Sequence, residues 1–147
     1  MTRNAFFGTA LVALSLMTGC ASVPMASPSE DATLKTFASP SAGQAGLYVY
    51  RDTIVGQALK KNLYVDGALL GETANKVYFY REVTPGQHQL STESEFSDNS
   101  ITFEAEGGKN YFAEQSIKIG VFVGGAGLKM VPDDYGMMKV RECRLAK

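Results

Sequence analysis

Residues 77–94 read VYFYREVTPGQHQLSTES. The first seven are almost all aromatic or β-branched, the side chains that suit a pleated, half-buried strand. Pro85-Gly86 is a turn pair. Beyond it the pattern switches to strict alternation, with His88, Leu90 and Thr92 on one face and Gln87, Gln89 and Ser91 on the other. Two strands broken by a turn, with no helical period in either, set the reading of the whole domain.

The same grammar recurs on both sides. LYVYR (47–51) and NLYVD (62–66) are rich in β-formers, Asp66-Gly67 is a type I′ hairpin dipeptide, and ALLGET (68–73) returns from it. ITFEAE (101–106) sends Ile101, Phe103 and Ala105 inward and Thr102, Glu104 and Glu106 outward. Gly107-Gly108 turns the chain into KNYFAEQSIKI, and Gly124-Gly125 turns it again into AGLKMV. The end, DDYGMMKVRECRLAK (133–147), fits either a short helix or a last strand. The expectation is an all-β fold: a single antiparallel β-sandwich of about seven or eight short strands over 46–147.

The amino-terminal part follows different rules. Ala5 to Thr18 carries no charge, and only the amino terminus and Arg3 precede it. A bilayer-spanning helix needs about 20 apolar residues. A short basic region, an apolar core and small residues before a cut are the layout of a secretory signal peptide. Met17-Thr18-Gly19-Cys20 resembles the lipobox of bacterial lipoproteins. That resemblance implies lipidation of Cys20, removal of residues 1–19, and, because Ala and not Asp follows, the outer membrane where the host has one. The rival reading is ordinary cleavage after Ala21, which releases a soluble secreted or periplasmic protein. Residues 20–45 read as a tether. It either contains a short helix at 29–37, with Ser29 as N-cap and Leu34 and Phe37 docking it, or is disordered throughout.

Composition narrows the classes. Loss of Arg3 leaves 13 of the 14 basic residues against 15 acidic ones, with no basic block, so nucleic acid is not an expected partner. Cys20 and Cys143 are the only cysteines, and lipidation of Cys20 leaves no intramolecular disulfide. The fold then rests on its own core.

The segments GLYVYRD, NLYVDGALLGET, YFYREVTPGQHQL and EAEGGKNYFAEQSIKIG resemble a family of short bacterial lipoproteins of unassigned function. Their domain is similar to PEGA and carboxypeptidase-regulatory-like β-sandwiches. VDG and the Pro-Gly-x-His-x-Leu run are the PEGA-like parts, although the tetrapeptide that names PEGA is missing. The resemblance implies an envelope location and a non-catalytic domain.

Few residues invite chemistry. His88 is the only histidine. As the general base of a hydrolase it needs a cleft, a carboxylate and a hydroxyl; its place beside Leu90 suits a half-buried structural imidazole instead. One histidine and no cysteine cluster give no zinc site. IGVFVGGAGLK (119–129) has the two glycines of a phosphate loop, but Ala126 stands where lysine is required. Asp133 and Asp134, with Asp52 or Glu142, have no spacing that fixes a catalytic pair. Tyr48 and Tyr50, Tyr78 and Tyr80, with Tyr64, are the candidate binding surface. If exposed, they make an aromatic patch for an envelope protein or a glycan; Val49, Val65 and Phe79 also need burial, which points to strands covered on both faces. Cys143 shares a face with Leu145 in an extended reading of VRECRL, so its thiol is expected inward. No cofactor and no enzymatic activity are expected, and the membrane is the partner through the anchor.

Overall fold

A computed structural model describes residues 22–93, 99–118 and 125–147. The signal segment 1–19, the lipidation site Cys20 and the Gly124 side of the Gly124-Gly125 turn lie outside the described residues. Among those described, nine strands form two sheets. The larger has the order β8 (Gly125–Val131), β7 (Asn110–Lys118), β1 (Ala45–Arg51), β4 (Val77–Val83), β9 (Arg144–Leu145). The smaller runs β3 (Ala68–Thr73), β2 (Lys61–Val65), β5 (Gly86–Thr92), β6 (Asn99–Ala105).

The all-β sandwich is as the alternation requires. Leu47, Val49, Leu63, Val65, Phe79, Leu90 and Phe103 meet between the sheets. Asp66 and Gly67 both have positive φ, 51° and 77°, as a type I′ turn demands. One refinement concerns strand direction. β1 pairs β4 antiparallel but β7 parallel, and β9 also lies parallel to β4. Parallel neighbours need a crossover, not a hairpin. The chain supplies one by passing from sheet to sheet at Pro85 and at Gly107-Gly108, and another by travelling through a helix to reach β9.

That helix, α2 (Asp133–Arg141), resolves the ambiguous carboxy-terminal stretch: it is a helix followed by a strand. Asp133 and Asp134 sit in its first turn and Lys139 and Arg141 in its last, in line with the helix dipole. It lies so close to β7 that a Cβ on Gly136 would stand 2.8 Å from Phe112 Cδ1 and nearer still to Phe112 Cβ and Cγ. With α1 (Pro28–Leu34) it covers the outer face of the larger sheet. No helix among the described residues is long and apolar enough to cross a membrane.

Within the 20–45 segment, residues 23–26 are packed on the domain and do not form a free tether. Val23 and Ala26 are buried, Met25 bridges Ala146, the Ala26 N–H donates to Leu145 O at 3.0 Å, and the Lys147 N–H donates to Pro24 O at 2.8 Å. The N-cap of α1 is Ser27 and not Ser29. Ser27 Oγ accepts from the Glu30 N–H, and the Glu30 carboxylate accepts from the Ser27 N–H, a capping box with Pro28 in the first turn. Leu34 and Phe37 do pack the segment onto the domain.

Candidate functional site

The tyrosine patch is not a surface. Tyr48, Tyr50 and Tyr78 are at most 1% exposed, and Tyr80 packs against the same cluster with Phe112, Val140, Cys143 and Leu145. The strands are covered on both faces: Leu47 and Val49 face the smaller sheet, while Tyr48 and Tyr50 lie under the two helices. Tyr48 stacks on Phe112 at 5.0 Å between ring centroids, and its hydroxyl donates to Leu34 O. The Tyr78 hydroxyl donates to Asp31 O. Burial pushes the Tyr48 phenol up to about 12. These rings hold α1 in place by apolar area and by their polar tips. Tyr64 alone is on the other sheet, half-buried, paired across from Leu69.

His88 is equally occupied. Nδ1 stands 2.6 Å from Asp66 Oδ2 and Nε2 2.7 Å from Thr84 O. Both partners are acceptors, so this geometry favours a proton on each ring nitrogen and with it the charged ring. Burial opposes that charge, but the Asp66 carboxylate and the Thr84 carbonyl outweigh it and raise the pKa. A general base needs a free nitrogen lone pair, and in its charged form this ring has none. It clips the Asp66-Gly67 turn to the start of β5.

Asp52, Asp134 and Glu142 are also engaged with neighbours. Asp52 lies between Lys76 and Lys139, at 2.6 and 3.0 Å, and Glu142 reaches both lysines at 3.5 Å. Asp134 accepts the Tyr135 N–H at the start of α2. Two shallow grooves flank the helices, one beside Ser29, Thr33 and Leu145, the other beside Phe37, Asn110 and Asp133. Neither contains a histidine or cysteine to serve as base or nucleophile. Among the described residues no three His, Cys, Asp or Glu side chains come together as metal ligands.

What stands out is the loop from Asp52 to Lys60. Ile54 is 87% exposed, Val55 46% and Leu59 36%, half of the large apolar side chains left exposed among the described residues. Under the loop lies Arg51, completely buried. Arg51 points between the sheets, since Leu47 and Val49 do and it follows them at period two. Its Nη1 donates to Leu59 O at 2.7 Å and to Thr73 O at 3.4 Å, and its Nη2 donates to Gly56 O. Nε is buried without a partner among the described residues. Burial depresses the guanidinium pKa to about 10. Gly56 has φ of 70°, and a Cβ there would lie 2.5 Å from Ile117 Cγ2. Beside the arginine, Thr73 Oγ1 donates to Gln115 Oε1 at 2.5 Å and Gln115 Nε2 donates to Thr92 Oγ1 at 2.7 Å, so this end of the core is polar.

An unpaired buried cation costs several kcal/mol. Here most of its hydrogen bonds go to carbonyls of one loop, and that loop presents Ile54 and Val55 to solvent. The loop that carries the exposed Ile54 and Val55 is thus the one fastened to the buried guanidinium. Sequence reasoning passed over it because RDTIVGQALKK has no period. The signal available was an Ile-Val pair inside a Gly-containing connection, where turn chemistry favours polar residues.

A family model described as protein of unknown function (DUF2846) matches residues 41–126. That is more than half of the chain, which belongs to this family. The match runs from just before β1 into the start of β8 and includes the loop over Arg51. A Haemophilus influenzae protein described as uncharacterized is 46% identical over 144 residues, covering 98% of this chain and 83% of that relative.

Proposed function

We propose that this member of the DUF2846 family is a lipid-anchored envelope protein, held through Cys20, whose sandwich is a non-catalytic module that contacts another protein through the Ile54-Val55 loop. The anchor rests on Met17-Thr18-Gly19-Cys20 closing an uncharged run. One acyl chain binds only marginally, whereas the two or three chains of a lipoprotein cysteine make residence effectively permanent. A PEGA-like origin for the sandwich belongs to the same proposal and draws on its two-sheet form.

The observation that carries the contact reading is the Arg51 brace. Exposed apolar residues on a slack loop are ordinary; a loop fastened from below by a buried guanidinium presents them in one geometry, which reduces the ordering cost of association. A protein is the better occupant than the bilayer, because the amino-terminal segment leaves the sandwich toward its other end.

Two measurements test this. Intact mass of the membrane-extracted protein is expected to show a chain beginning at an acylated Cys20, and Cys20→Ser to accumulate as an uncut precursor. A mature chain starting at Ser22 with no acyl mass overturns the anchor. A photo-crosslinking residue at Ile54 is expected to give one discrete protein adduct in living cells, lost on Val55→Ser. Adducts to lipid alone, or none, overturn the contact.

A further inference from the structure

We infer that the folded domain sits directly on the bilayer, with the edge formed by Pro24, Lys147 and β3 against the headgroups and the Arg51 loop pointing away. This rests on the Cys20 anchor and goes beyond it, since an anchor on a long tether fixes no orientation.

The first step is covalent reach. Consecutive Cα atoms are 3.8 Å apart, so three steps from Cys20 place Val23 within about 11 Å of the acylated residue. Val23 is 8% exposed and belongs to the core between the sheets. Beyond it Pro24, Met25 and Ala26 are hydrogen-bonded or bridged to Leu145, Ala146 and Lys147. No slack chain lies between the fold and the lipid. The glycerol and headgroup layers together add only about 5–8 Å on each side of a hydrocarbon core some 30 Å thick. A protein body fastened that near must rest on the headgroups.

The second step is direction. β9 runs parallel to β4, with Tyr78 beside Leu145, and Met25 pairs antiparallel with Ala146. Going back from Met25 to Ser22 therefore leads toward the Val83 end of β4. Arg51 pairs with Val77, so the loop after it leaves from the opposite end. β1 and β4 are seven residues long, about 23 Å at 3.3 Å per residue.

The third step is which side faces down. Met25 lies outside β9 at one edge of the larger sheet. On that side the smaller sheet presents β3, where Leu70 packs on the same core as Val23 and Gly71 lies against the Phe79 ring. Leu69, just before the bulge in β3, is 56% exposed and turned outward with Tyr64. β3 is an edge strand with an uncharged stretch, Ala68-Leu69-Leu70, on the side where the anchor leaves. Edge strands usually carry charges that discourage pairing; a strand lying on lipid headgroups has no such need.

The chain contains no tryptophan, so a single introduced indole is a clean probe. Leu69→Trp and Ile54→Trp, each in the full acylated protein, are placed in phosphatidylcholine vesicles whose lipids are brominated near the top of the acyl chains. Emission from Leu69→Trp is expected to fall at least twofold relative to unbrominated vesicles, and that from Ile54→Trp to stay unchanged. Ten Gly/Ser residues inserted between Ala21 and Ser22 are expected to abolish the difference. Equal quenching at both positions in a protein whose mass shows acylation overturns the orientation and leaves the anchor standing. Quenching of Leu69→Trp that survives the insertion overturns the short-mount argument. A chain without acyl mass overturns the anchor and this inference together.

Discussion

The imidazole of His88 and the carboxylate of Asp66 meet at 2.6 Å, and the other ring nitrogen of His88 faces a carbonyl. The pair joins two turns at one end of the smaller sheet, and its strength depends on the ring staying charged.

The folded-state pKa of His88 is raised above its ordinary value near 6.5. Its stabilisation is therefore fully present below about pH 6.5 and is lost as pH rises through the folded-state pKa. Asp66 moves the other way. Burial opposes the shift, but the Gln89 N–H and His88 lower its pKa, so its share is present above its usual value and lost on acidification. The clip is strongest in the mildly acidic window between them. Asp66 is about half exposed, so solvent screens the pair. His88→Gln is expected to cost about 1 kcal/mol at pH 5 to 6 and less at pH 9, read from denaturant midpoints at each pH. A cost that grows with pH contradicts the imidazolium.

Arg51→Met tests the brace. Methionine fills similar volume without a charge, and removing a buried cation offsets much of the lost hydrogen bonding, so global stability is expected to change by less than about 2 kcal/mol. The local effect is larger. The Gly56 and Leu59 carbonyls lose their donors, and amide exchange over 54–60 is expected to quicken at least tenfold while β1 stays protected. Unchanged exchange in the loop would mean that the guanidinium does not hold it.

How much of this was open to sequence reading depends on the range of the interaction. Strand alternation, as in Ile101, Phe103 and Ala105, and the Asp66-Gly67 turn are local, and both appear where the pattern put them. The parallel neighbours of β1 are not local: Tyr48 meets Phe112 across 64 positions of chain, and nothing in either strand states its partner. The tyrosines show the same limit. Period two places Tyr48 and Tyr50 on one face, but whether that face meets water depends on α2, about 85 residues later. The cap at Ser27 carries a local signature, Ser-x-x-Glu with Pro between, yet the expectation fell on Ser29 two residues later.

Gly136→Ala probes the helix that hides those tyrosines. Its Cβ would enter the space of Phe112, whose own Cβ belongs to β7 and cannot swing aside. α2 must lift from the sheet or Phe112 must leave its stack on Tyr48. Overpacking of this kind costs about 1–3 kcal/mol, expected as a fall in Tm on the order of 5–10 °C. The tyrosine signal in near-ultraviolet circular dichroism should weaken at temperatures where the far-ultraviolet signal is intact. A wild-type Tm would mean that α2 is not seated on β7.

Cys143 closes the same cluster from the other side. It follows the C-cap of α2, is 1% exposed, and its Sγ lies 3.8 Å from Arg51 O, the weak contact of a buried thiol with a carbonyl. It shares the outer cluster with Leu145, as the alternation in VRECRL suggested, but that cluster lies beneath the helices and not between the sheets. Arg141 and Arg144 flank it in sequence, and nearby cations lower a thiol's pKa and quicken its attack. Burial nevertheless pushes the thiol up to about 12, with Asp52 adding to the rise and Lys76 and Lys35 opposing it. At neutral pH the thiolate is a trace species, and reagents have no path to it. Native protein is expected to react with a thiol-directed chromogenic disulfide at least a hundredfold more slowly than denatured protein. Its labelling rate should track global unfolding as denaturant is raised. Rapid native labelling, or a disulfide-linked dimer that Cys143→Ser removes, would place the thiol at the surface and α2 away from it.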